Sequence, residues 1–173
     1  MKANEKKILL VMAALFLLTR KGKATGTTTA ITNVLSDFIP EVEGFSATPY
    51  WDVKQWTWGY GTKVPGSGTN SSINPGGTVT REQAFIYMMD HIQKDYNYLF
   101  PLITRSLNAN QWAAYLSFSY NLGPGNADNL AANINSNNDA ALFIQWAKYI
   151  YAGGVVVPAL VERRAKEIEL WQS

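Results

Sequence analysis

The chain is 173 residues long, 47% hydrophobic and 13% aromatic, which suits one packed domain plus an appendage. The absence of cysteine excludes disulfides and thiolate chemistry, and a single histidine, His91, with no ligand cluster around it argues against a zinc site. The net charge of +2 is uneven: residues 1–26 hold six Lys/Arg against Glu5 alone, leaving nine Lys/Arg and 12 Asp/Glu in residues 27–173, so no basic stripe points to a nucleic-acid partner.

Ile8 to Leu18 is an uncharged run of 11 apolar residues. As a helix it spans roughly 17 Å, against about 30 Å for a bilayer core. Arg20, Lys21 and Lys23 follow it directly, where cleavable signals are usually uncharged. A retained membrane anchor is therefore favoured, its flanking Lys/Arg snorkelling to cover the short length. An exported signal-anchor is a close variant, and a signal peptide cleaved near Gly22-Lys23-Ala24 is third. A buried helix is the weakest reading, because the run has no polar face. Both flanks are basic, so orientation is not fixed. The expected organisation is an anchor over residues 1–21, a linker over 22–29 and a catalytic domain over 30–173.

Thr28 or Thr29 can N-cap a helix in which Ile31, Val34, Leu35 and Phe38 recur at helical spacing. It should end near Glu43, with Gly44 as its stop. Residues 47–62 alternate and carry Tyr50, Trp51, Trp56, Trp58 and Tyr60, which favours strands. Residues 63–79 form a Pro/Gly/Ser/Asn loop. Thr80-Arg81-Glu82-Gln83 is a capping-box start for a helix to about Tyr98. Asn108 or Asn110 opens the next helix, whose run WAAYLSFSYNL is apolar on nearly every side and reads as the buried centre, with Trp112, Tyr115, Phe118 and Tyr120 in the core. Gly123-Pro124-Gly125 breaks it. Weaker helices follow near 126–134 and 138–150, then a turn at Gly153-Gly154, and Pro158 begins a terminal helix through about Trp171. A small hairpin region followed by many helices is an α+β pattern. No glycine-rich phosphate loop follows a strand, so no nucleotide cofactor is expected.

Glu43, Asp52 and Thr57 are the residues with chemistry to offer. Cleavage of a sugar–sugar bond needs a carboxylic acid to protonate the leaving oxygen, and a second carboxylate or the water it activates at the sugar carbon. A helix-end glutamate beside Val42 and Phe45 suits the acid, and Asp52, on a more exposed strand or turn, suits the carboxylate. Thr57 offers a hydroxyl to hold water. With Lys54-Gln55 as a two-residue loop, Asp52 and Thr57 become direct cross-strand partners, their Cβ atoms about 5 Å apart. Thr57, Gly59 and Gly61 then line one face, leaving room for a sugar, and Trp56, Trp58 and Tyr60 take the other. Singly, each residue has an ordinary explanation: a glutamate before glycine ends a helix, and an aspartate before a turn makes the turn. Together, at this spacing, they favour a lytic site. Glu41 is the rival acid but lacks the following glycine. His91 reads as a surface or boundary residue.

The segments EGFSATPYWD and TWGYGT, the helix NANQWAAYLSFSYNLGPG and the tail VVVPALVERRAKEIELW occur in an order that resembles the phage-type lysozymes, glycoside hydrolase family 24. The resemblance covers roughly residues 30–173. It implies a lysozyme-like fold, a small hairpin region followed by a mainly helical lobe. It also implies that Glu43 is the general acid, Asp52 the base or stabiliser and Thr57 the water-positioning residue. Gly59, Tyr60, Gly61, Asn121 and Arg164 are expected to border or support the groove, a satisfied core role being as good an account of Asn121. The family usually has Asp-x-x-Gly-x-x-Thr, whereas Asp52-Val53-Lys54-Gln55-Trp56-Thr57 is one residue shorter and lacks the glycine. Arg164 falls at i, i+4, i+7 with Ile168 and Trp171, on the apolar side of its helix, so it should pair with Glu43 or a nearby acid. The activity implied is inverting hydrolysis of the β-1,4 bond between N-acetylmuramic acid and N-acetylglucosamine, without metal or cofactor. The expected partners are peptidoglycan strands and, through residues 8–18, a membrane. That membrane would be the host inner membrane facing the periplasm or the virion's own, and the protein a monomer serving a phage in wall lysis or penetration. The alternatives are a lytic transglycosylase and a catalytically dead, membrane-anchored virion protein.

Overall fold

A computed structural model describes residues 25–173. The apolar segment 8–18 lies outside them. Among the described residues no helix is long and apolar enough to cross a membrane. The chain divides into two compact units, the first ending at His91 and the second running from Ile92 to Ser173.

The first unit opens with helix α1, Thr25–Glu43. It starts ahead of the expected Thr28–Thr29 cap, so residues 25–29 of the presumed linker are helical. Threonine is compatible with this because its hydroxyl can return to the preceding turn, as Thr32 Oγ1 does in donating to the Thr28 carbonyl at 3.0 Å. Ile31, Leu35 and Ile39, one turn apart, are buried. The helix tolerates Pro40 inside its last turn and stops as the sequence indicates. Gly44 takes φ +68°, and its N–H donates to the Pro40 carbonyl at 3.2 Å, a left-handed C-cap that needs glycine.

A three-stranded antiparallel sheet follows: β1 (Ser46–Asp52), β2 (Gln55–Gly59) and β3 (Thr62–Lys63). The turn between β1 and β2 is Val53-Lys54, not Lys54-Gln55. Asp52 pairs with Gln55, Trp51 with Trp56 and Tyr50 with Thr57. Val53 sits at φ +51°, a left-handed conformation that a β-branched residue rarely adopts, at a cost of about 1–3 kcal/mol. Nearer its start β1 bulges: Ser46 pairs with Gly59, so Ala47, Thr48 and Pro49 face Trp58 alone. After the long loop, helix α2, Arg81–Leu99, starts on Thr80, whose hydroxyl accepts from the Gln83 N–H at 3.2 Å.

In the second unit a short 3-10 turn, Phe100–Leu102, precedes α3, Ala109–Leu122. Asn108 caps α3 in a reciprocal box with Gln111. Every residue from Trp112 to Tyr120 is buried, as the all-round apolar run demands. Side chains such as Leu116 and Phe118 each contribute about 1.5–3 kcal/mol by burial. Helices α4 (Pro124–Asn135) and α6 (Pro158–Gln172) pack on α3, and α5 (Asp139–Trp146) packs on α4. Between α5 and α6 lies a two-stranded hairpin, β4 (Tyr151–Ala152) and β5 (Val155–Val156), joined by Gly153-Gly154 at φ +58° and +81°. The turn was expected; the strands, two residues each, carry too little pattern to announce themselves.

Candidate functional site

Two elements present the carboxylates. Glu43 is the last residue of α1, half-buried, and the Gly44 cap turns the chain directly into β1. Asp52 ends β1 and is exposed. Both carboxylates act on Tyr50, also on β1: burial first, then the charges of Asp52 and Glu43, hold its phenol above the ordinary tyrosine value.

Asp52 and Thr57 are not direct cross-strand partners. Tyr50 holds that place, which makes Asp52 the diagonal neighbour of Thr57 on the same face, about 7–8 Å away between backbones. The shared face survives because alternation puts residues 50 and 52 of β1 on the same side as 55 and 57 of β2. The register differs because the turn closes one residue earlier than expected. Thr57 is fully buried, and its Oγ1 has no hydrogen-bond partner in the protein. Such an orphan ordinarily costs about 1–3 kcal/mol.

The glycines do other work than expected. A Cβ on Gly59, at φ +61°, would meet the Ala84 Cβ at 2.6 Å, so its bare backbone is filled by helix α2 rather than left open for a sugar. Gly61, at φ +87°, belongs to the turn into β3 and not to the strand face, since β2 ends at Gly59. Tyr60 is buried, its ring 5.4 Å from Phe45. The Arg81 guanidinium lies over Phe45 at 4.3 Å. This group braces the chain immediately after Glu43-Gly44.

In the second unit Arg164 is buried, as its spacing required, and the structure gives it an acid of its own helix: Glu167. Arg164 Nη2 donates to Glu167 Oε1 at 2.9 Å, and Nε lies 2.7 Å from Oε2, near enough for charge attraction though not aimed for a hydrogen bond. Glu167 is fully buried and also accepts from Arg163 Nε, Ser117 Oγ and Trp146 Nε1. Arg164 Nη2 donates to Asn121 Oδ1 at 3.0 Å, which fixes the half-buried Asn121 at the end of α3. Sequence reasoning missed Glu167 and Tyr50. The i, i+3 and i, i+4 spacing of Arg164 and Arg163 to Glu167 was the signal for the first.

A sequence family described as phage lysozyme matches residues 40–167. The chain belongs to that family. The matched stretch takes in Glu43, Asp52, Thr57, Arg164 and Glu167. Among curated proteins it is similar to an endolysin of Bacillus phage PZA, 29% identical over 142 residues that cover 79% of this chain and 53% of the relative. The chain thus spans about half the length of the curated relatives it matches. Among solved structures it is similar to the muramidase domain of SpmX from Asticaccaulis excentricus, with a TM-score of 0.71 and 21% identity, covering 83% of this chain and 97% of that one. It is also similar to a mutant of P22 lysozyme, with a TM-score of 0.65 and 26% identity over 83% of this chain and 95% of that one. The fold is lysozyme-like, a small sheet with a helical lobe, as the sequence motifs implied.

Proposed function

We propose that the protein is a muramidase that hydrolyses the β-1,4 bond between N-acetylmuramic acid and N-acetylglucosamine in peptidoglycan. The observation that carries this reading is the sheet face shared by Tyr50, Asp52 and Thr57, with the charges of both Asp52 and Glu43 acting on the Tyr50 phenol. Glu43, on the half-buried helix end, donates a proton to the glycosidic oxygen. Asp52, the exposed carboxylate, takes a proton from the attacking water or stabilises charge on the sugar. Thr57 supplies a buried hydroxyl with no protein partner, suited to holding that water. Attack from the opposite side of the ring gives inversion. The family membership supports glycosidase chemistry in general; the bond, the stereochemistry and the biological setting are our reading. In it, the basic-flanked segment 8–18 tethers a monomeric domain to a membrane, where it serves a phage in wall lysis or penetration.

The test is clearing of purified peptidoglycan by the full chain beside its Glu43→Gln and Asp52→Asn variants. The expected outcome is clearing by the parent and a loss of 1,000-fold or more, about 4 kcal/mol, in Glu43→Gln. Mass analysis of the fragments should find reducing ends. Anhydro-sugar ends with an active Asp52→Asn would instead identify a lytic transglycosylase, which needs one acid only. No clearing by the parent would favour the non-catalytic virion protein.

A further inference from the structure

Because the turn closes at Val53-Lys54, a tyrosine takes the place where an aspartate was expected. Tyr50 is the direct cross-strand partner of Thr57, and it shares a face of β1 with Asp52 two residues on. It is 42% exposed, so solvent and substrate can reach it on the face it shares with Asp52. The charged groups that act on it are Asp52 from its own strand and Glu43 from α1; its partner on β2, Thr57, carries none. Both neighbours are carboxylates, which when ionised can only accept hydrogen bonds. A phenol among them is the one donor of the three.

We propose that Tyr50 is a positioning residue of this site, its hydroxyl donating to the Asp52 carboxylate and holding it towards the water at Thr57. The inference rests on the muramidase reading and deepens it. Burial and the two carboxylates keep the phenol protonated, so it remains a donor throughout the pH range in which a carboxylate pair works. A donor to the ionised form of Asp52 favours that form. Removing it makes the carboxylate easier to protonate, so the acid limb of a profile that requires ionised Asp52 moves up in pH.

The experiment compares the full chain with Tyr50→Phe, which keeps the ring and strand packing. The expected result is kcat down about tenfold, KM changed less than twofold, and the acid limb moved to higher pH. A structural role alone would leave that limb in place. A second readout needs no activity: with tyrosines carbon-13-labelled at the ring carbon bearing the hydroxyl, the Tyr50 signal is assigned by its loss in Tyr50→Phe and titrated. Its midpoint should fall towards the ordinary tyrosine value in Asp52→Asn. A midpoint indifferent to Asp52, or a Tyr50→Phe variant with parental kcat and acid limb, overturns the inference while leaving the muramidase reading standing. No clearing by the parent overturns the muramidase reading and this inference with it.

Discussion

The sheet of the first unit and the helical second unit handle awkward residues in opposite ways. In the second unit a fully buried carboxylate, Glu167, receives donors from Arg163, Arg164, Ser117 and Trp146. In the sheet, Thr57 is as deeply buried and its hydroxyl has no partner. The hairpins repeat the contrast. Gly153-Gly154 suits a left-handed two-residue turn, whereas Val53-Lys54 makes one with a β-branched residue at φ +51°. A left-handed β-branched residue and a buried hydroxyl without a partner thus both fall in the hairpin that carries Asp52 and Thr57.

The largest effect is expected where compensation is removed. Glu167→Ala strips both buried arginines of their shared acid and should cost about 3–5 kcal/mol, a fall of roughly 10 °C in Tm by thermal melting. Gly59→Ala places a methyl against Ala84 at a positive φ and should cost about 3 kcal/mol, measured by chemical denaturation. An equal melting curve for parent and variant would mean that sheet and α2 do not meet so closely. The hairpins give a reciprocal pair: Val53→Gly should stabilise by about 1 kcal/mol and Gly153→Val destabilise by about as much. If both destabilise, the turn at Val53 is not strained. The smallest effect is expected at Thr57→Val, which swaps the orphan hydroxyl for a methyl of equal shape. Stability should change by less than about 1 kcal/mol while peptidoglycan clearing falls at least tenfold. A large loss of stability would return Thr57 to an ordinary structural role.

Much of this was legible in the residues. The capping signals at Thr80 and Asn108 and the glycine after Glu43 named three helix boundaries, because each solves a local hydrogen-bonding problem that only a few side chains can solve. The buried centre was legible because nothing polar interrupts the run from Trp112 to Leu116. The register of the first hairpin was not. Val53, Lys54 and Gln55 are all poor turn residues, so local chemistry does not choose among them, and placing Thr57 opposite Asp52 led to the wrong turn. The role of Gly59 was hidden for a different reason: the contact that requires it comes from Ala84, 25 positions away, and no short-range pattern carries that. Arg164 was read correctly as buried and paired with an acid, and one acid it meets, Glu167, stands three residues on in the same helix.

On the proposed reading, the start of α1 at Thr25 limits where the protein can cut. Six residues, 19–24, separate the apolar segment ending at Leu18 from Thr25, and six residues of chain span at most about 20 Å. With that segment embedded in lipid as proposed, the leash would hold the base of the domain close to the bilayer. Cutting would then fall on the innermost glycan layers, and degradation of the wall would proceed outward from the membrane.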